Sequence, residues 1–256
     1  MNLTRDFIHK ISELFPEKSS EQEIKVTSDL LLDGISVAAL GSAEPSPQIL
    51  SSMAHDADQR RSATIIKGDR RATVESAALV NGAAMHVLDY EPMWNPANHS
   101  LSTTLPALVA LSEVLLRSEK ETFQNSINGE RILRALAIGI EVQARLRSAS
   151  GQFEPGDLVF HPPSAVGPLG SAVACGLLMG LTQEQLVNAI GIAGSMAGGL
   201  QGNIGSMTKA LHCGKAASNG VQAALLARHG FTSDIDAIGG PRGYGNAFFG
   251  AVFDPS

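Results

Sequence analysis

A chain of 256 residues can bury a substantial core, as one large domain or two small ones, and its net charge is −6. The basic residues are scattered, which leaves no electrostatic footprint for nucleic acid. Two cysteines, Cys175 and Cys213, cannot build a zinc or iron–sulfur site unaided, and 26 glycines with only 5% aromatics point to closely packed helices.

Residues 1–18 alternate charged and apolar side chains without a signal-peptide core, so a disulfide between the cysteines is not expected. Ser20-Glu21-Gln22-Glu23 reads as a capping box opening a helix through Leu30, Leu31, Ile35 and Val37, ended by residues 41–47. A second helix is predicted over residues 74–88, with a small-residue face of Ala77, Ala78, Gly82 and Ala83. Residues 89–100 read as an irregular segment stiffened by Pro92 and Pro96, and residues 105–116 as an apolar helix. Gly129 begins another helix, with Ile132, Leu133, Leu136, Ile140 and Val142 inside and Arg131, Arg134, Arg145 and Arg147 mostly outside.

Residues 148–163 read as a loop and residues 166–180 as a small-residue helix, after which Thr182-Gln183-Glu184-Gln185 caps the next. The last predicted helix covers residues 208–229 and closes at Gly230; residues 238–245 form a loop. No period-2 strand pattern and no internal repeat stand out. The fold class expected is all-α. The uncharged runs are too rich in Gly, Ser, Asn, Gln and Pro to read as membrane spans, and a cytoplasmic protein without membrane or nucleic-acid partners is expected.

Three places offer chemistry. Lys209 follows 24 uncharged residues, 185–208, and such surroundings remove solvent from an ammonium group. His212 lies three positions on, on the same face of a helix. A lysine that reaches out to water is the competing reading. The segment from Asp89 to His99 holds Glu91, Met93 and the single tryptophan in a proline-stiffened loop, although Asp89 could equally be a helix cap. His161 enters a Gly/Ala helix from a loop, where a buried histidine bonded to a backbone carbonyl is the common case. Together these residues are the equipment of general acid–base chemistry on an anionic substrate. No HExxH, CxxC, P-loop, dinucleotide or GxSxG motif competes with that reading.

The runs Ala83-Ala84-Met85-His86-Val87-Leu88-Asp89-Tyr90, His99-Ser100, Leu105-Pro106-Ala107-Leu108, Gly139-Ile140-Glu141-Val142-Gln143-Ala144-Arg145, Phe160-His161-Pro162 and Gly205-Ser206-Met207-Thr208-Lys209-Ala210-Leu211-His212-Cys213-Gly214-Lys215-Ala216-Ala217 come in an order that resembles the MmgE/PrpD family. The resemblance spans nearly the whole chain. It implies one MmgE/PrpD-type helical domain over residues 1–256, a homodimer, and a metal-independent, cofactor-free lyase or isomerase acting on a small polycarboxylate. That family includes dehydratases, decarboxylases and an epimerase of such substrates. Carried over, it places Asp89, His99, His161 and Lys209 as catalytic residues, with His161 as the acid–base group and Asp89 orienting His99 or Lys209. Lys209, His212, Glu91 and Met93 would bind substrate, but Glu91 and Met93 stand where decarboxylase members carry aspartate and threonine. The family's α/β lid and its return helices are expected outside the chain. An inactive helical scaffold and a polycarboxylate-binding module are the competing readings.

Overall fold

The computed structural model describes residues 2–15, 18–56, 62–68, 70–117 and 127–255. Among them are ten α-helices and one two-stranded ribbon: α1 (Leu3–Glu13), α2 (Glu21–Gly41), α3 (Pro45–Ser52), β1 (Ser62–Thr64), β2 (Arg71–Thr73), α4 (Val74–His86), α5 (Ser100–Leu116), α6 (Gly129–Ala149), α7 (Pro162–Met179), α8 (Gln183–Met196), α9 (Thr208–Arg228) and α10 (Tyr244–Phe249). The fold is all-α, as the composition suggested. Both expected capping boxes form, at Ser20 with Glu23 and at Thr182 with Gln185.

Several elements differ from the sequence expectation. Residues 3–13 form a helix, because Thr4, Ile8 and Ile11 share one buried face and the Asn2 side chain accepts from the Arg5 amide. The segment read as a stop after α2 holds a second helix, with Pro45 at its first position, where a missing amide costs nothing. The same principle extends α7 back to Pro162 and Pro163. The helix read from residue 105 begins at Ser100, and a short helix, α10, begins inside the expected 238–245 loop. The β1–β2 ribbon pairs Ser62 with Thr73 and Thr64 with Arg71. Three residues per strand are too few to show an alternating pattern. The Arg71 guanidinium holds the ribbon to α5 by donating to Ser62 O, Thr64 Oγ1 and Glu113 Oε2 at 2.7–2.8 Å.

Helix α9 lies at the centre, packed against α4, α5, α7 and α8. Helix α7 is long and apolar enough to cross a membrane by composition, but every one of its residues is buried inside this fold. Leu105, Leu108, Leu111 and Leu136 anchor one part of the core, and Leu169, Leu186 and Ile190 another. Each such side chain contributes roughly 1.5–3 kcal/mol by leaving water.

The α4–α9 contact decides where the site forms. A Cβ at Gly214 would lie 2.1 Å from Leu79 O, and one at Gly82 would lie 2.9 Å from Gly214 Cα. The two helices therefore meet backbone to backbone, which only glycine allows. That close approach carries the end of α4 against the first turns of α9.

Candidate active site

Four of the chain's seven histidines converge at the ends of four helices. His86 closes α4, His99 precedes α5, His161 precedes α7, and His212 sits in the second turn of α9. The ring centroids of His86 lie 4.8 Å from His99 and 5.6 Å from His161, and His161 lies 5.4 Å from His212.

Neighbouring elements hold these residues in place. Asp89 turns the chain away from α4 in the left-handed region, φ 58°, which an aspartate tolerates better than most residues. Gln143 of α6 accepts from Asn98 and Thr103 and donates to Thr104, fixing the start of α5 beside His99. Arg147, expected mostly outside, is buried: its guanidinium donates to Ala97 O and Ser150 Oγ and pins the 89–99 loop to α6. The His161 amide donates to Gly199 O at 2.9 Å. Gly199, at φ 110°, has no room for a side chain, because a Cβ there would meet Ser164 Oγ and the His212 ring.

The outer part of the site is an ion pair. Lys209 Nζ donates to Asp89 Oδ2 at 2.6 Å, and the Lys209 and Asp89 side chains are 25% and 49% exposed. Asp89 Oδ1 lies 3.2 Å from His99 Nε2. Partial burial alone would raise the Asp89 carboxyl, but the Lys209 hydrogen bond and the adjacent His99 and His86 hold it below the usual carboxylate range.

The inner part is closed to solvent. His86 Nδ1 donates to Glu91 Oε1 at 2.6 Å, and neither side chain has exposed surface. Burial works against charge on His86, but the neighbouring Cys213 and Glu91 outweigh it and raise the imidazole to about 10. Burial likewise works against charge on Glu91, and His86 and His99 hold it below its ordinary value all the same. For His99, burial outweighs the two nearby carboxylates and lowers it. Burial, reinforced by the positive field of His86, lowers His161 to about 3, and the same two causes lower His212. His161 Nδ1 and His212 Nδ1 face each other at 3.3 Å, so one nitrogen carries a proton and the other accepts it.

Asp89, His99, His161, Lys209 and His212, all singled out from sequence, meet in this one place. Glu91, read from sequence as a substrate contact, is buried and bonded to His86. Met93 is 62% exposed and touches none of the cluster by any polar bond. His86 and Cys213 were quoted in the family motifs but not singled out for chemistry. Their signal was the small-residue face of α4, which marks a close helix contact without naming the partner helix. A cleft of about 350 Å³ lined by Ser164, Leu200, Thr208, His212 and Lys215 opens beside the cluster. Larger hollows, about 700 and 800 Å³, lie away from it and hold none of the four histidines. The convergence of titratable groups marks the site better than cavity size.

An all-helical domain presenting a lysine, two carboxylates and four histidines at its helix ends is the class of protein defined here. The model of the MmgE/PrpD N-terminal domain matches residues 5–255, and the chain belongs to this family. It is 34% identical to the cis-aconitate decarboxylase of Homo sapiens over 249 residues, covering 97% of this chain and 50% of that protein. A cis-aconitate decarboxylase-like protein of Aspergillus oryzae is 30% identical over 232 residues, 90% of this chain and 48% of its own length. The cis-aconitate decarboxylase of Aspergillus terreus is 28% identical over 231 residues, 90% of this chain and 46% of its own. The chain thus spans about half the length of the curated relatives it matches.

Proposed function

We propose that this chain provides the lysine- and histidine-bearing part of a lyase that moves a proton at a carbon next to a carboxylate of a small polycarboxylate. The observation that carries this reading is the Lys209–Asp89 ion pair at the open edge of the histidine cluster. A substrate carboxylate can exchange for Asp89 on the ammonium group, because the pair is partly solvated and exchange costs little. The charge that develops on the reacting carboxylate is then held by Lys209. His161 and His212 face each other through one protonated and one proton-free nitrogen, so the pair contains both a proton acceptor and a donor. His161 is the acid–base group in this reading, and Asp89, which touches both His99 and Lys209, is their orienting residue. In a dehydration, the histidine takes the carbon-bound proton as hydroxide leaves. In a decarboxylation, the carbon–carboxylate bond breaks, carbon dioxide leaves, and the N–H of the histidine pair gives its proton to the carbanion and regains one from solvent.

The names of the relatives make cis-aconitate the first substrate to test. NMR of the protein with cis-aconitate is expected to show its consumption, and Lys209→Ala is expected to abolish this while the melting temperature stays nearly unchanged. Unaltered turnover in Lys209→Ala contradicts the reading. Binding of cis-aconitate without consumption supports a binding module instead.

A further inference from the structure

Beside His161 lie two buried donors, His86 and Cys213, that the proposed reaction does not use. One nitrogen each of His86 and His161 and the Cys213 sulfur lie within 4.8 Å of one another, and all three residues are buried. Since Nδ1 of His86 is bound to Glu91, the nitrogen left for this group is Nε2. That atom is buried, and Cys213 is the neighbour that raises the imidazole from this side. The Glu91–His86 bond also has the form that accompanies metal-bound imidazoles, in which a carboxylate grips the ring's other N–H and fixes its orientation.

We propose that His86, His161 and Cys213 form a binding site for a thiolate-seeking divalent cation of the zinc class. Two imidazoles and one sulfur suit such an ion, with a water molecule as a fourth ligand. Ideal zinc–nitrogen and zinc–sulfur bonds set the ligand atoms roughly 3.4–3.7 Å apart, so the three side chains must close in by about 1 Å. Binding replaces the thiol proton of Cys213 and the proton on His86 Nε2, and both are released to solvent. A second donor group, His86, Asp89, Glu91 and His99, is a weaker candidate. Its carboxylates are already engaged by His86 and Lys209. The consequence for activity rests on the role given to His161 above: a cation on that ring removes it from proton transfer. The binding itself does not depend on that role.

The test is a titration of chelator-treated protein with Cd²⁺, followed by the ultraviolet charge-transfer absorption of a cadmium–thiolate bond. One equivalent is expected to produce the band. Cys213→Ala is expected to abolish it, and Cys175→Ala, which alters the other buried cysteine, to leave it intact. Glu91→Gln keeps the donors and is expected to weaken binding about 10- to 100-fold. X-ray absorption of the Zn²⁺ complex of the unaltered protein needs no variant and is expected to show one sulfur and two imidazoles. No band in the wild type, a band that survives Cys213→Ala, or a zinc shell of oxygen alone overturns the proposal.

Discussion

The outer and inner halves of the histidine cluster use the same chemistry, a carboxylate paired with a base, for opposite ends. Lys209 and Asp89 meet in a partly solvated edge, whereas His86 and Glu91 meet with no exposed side-chain surface. In water the Coulomb gain of a pair nearly cancels against lost freedom and solvation, so the outer pair adds about 1 kcal/mol or less to stability. In the interior neither partner can recover its solvation, so removing one strands the other. The outer pair is therefore open to exchange with a substrate, and the inner pair is bound into the fold.

Breaking the inner pair is the largest effect expected. Glu91→Ala should cost roughly 3–5 kcal/mol, on the order of 10 °C in melting temperature. The double variant His86→Met with Glu91→Leu should lose less than Glu91→Ala, because it leaves no uncompensated charge. Equal melting temperatures for Glu91→Ala and wild type would erase the distinction between the halves.

The same pair gives a pH dependence with a definite sign. His86 is raised from 6.5 to about 10, so its contribution is complete below pH 6.5 and is lost as pH rises toward 10. His161 is lowered from 6.5 to about 3, so its contribution is present above pH 6.5 and is lost as pH falls toward 3. Glu91, lowered from 4.5, adds to the loss on the acid side below that value. Melting of chelator-treated protein should therefore peak near pH 6.5, and Glu91→Gln should make the alkaline limb shallower without removing it, because Cys213 is the larger cause of the raised His86. An alkaline limb of unchanged slope in that variant would contradict the assignment.

Next in size is the helix contact that brings the halves together. Gly214→Ala puts a methyl group 2.1 Å from a carbonyl oxygen of α4, and the forced separation should cost about 3 kcal/mol. It should also reduce turnover by displacing His212 and Cys213 from His86. The smallest stability effect belongs to the outer pair, where Lys209→Ala should cost about 1 kcal/mol or less. Thermal melts of both variants check these values side by side.

The contrast between the halves also explains what could be read from the chain. Lys209 was conspicuous because the sequence around it carries no charge, and Asp89, His99 and His161 by their place at loop–helix junctions. The helices with polar caps, such as those opened by Ser20 and Thr182, were equally plain, since their signals are local. Glu91 and Met93 lie two residues apart in one loop, and nothing local tells that one is buried against His86 while the other faces solvent. His86 and Cys213 are separated by 127 positions and become neighbours only because Gly82 and Gly214 let two helices touch. Arg147 read as a surface charge because a helical stripe does not show which loop will cross its polar side. The starts of α5 and α7 were missed because Ser100 and Pro162 carry no apolar pattern, although proline in the first turn is itself a helix signal.

Calorimetric titration of cis-aconitate into wild type and Lys209→Ala at low salt tests the exchangeable outer pair most directly. The expected result is measurable binding to the wild type and at least a tenfold loss in the variant, about 1.4 kcal/mol, with both proteins melting within a few degrees of each other. Equal affinity for the two proteins would contradict the account.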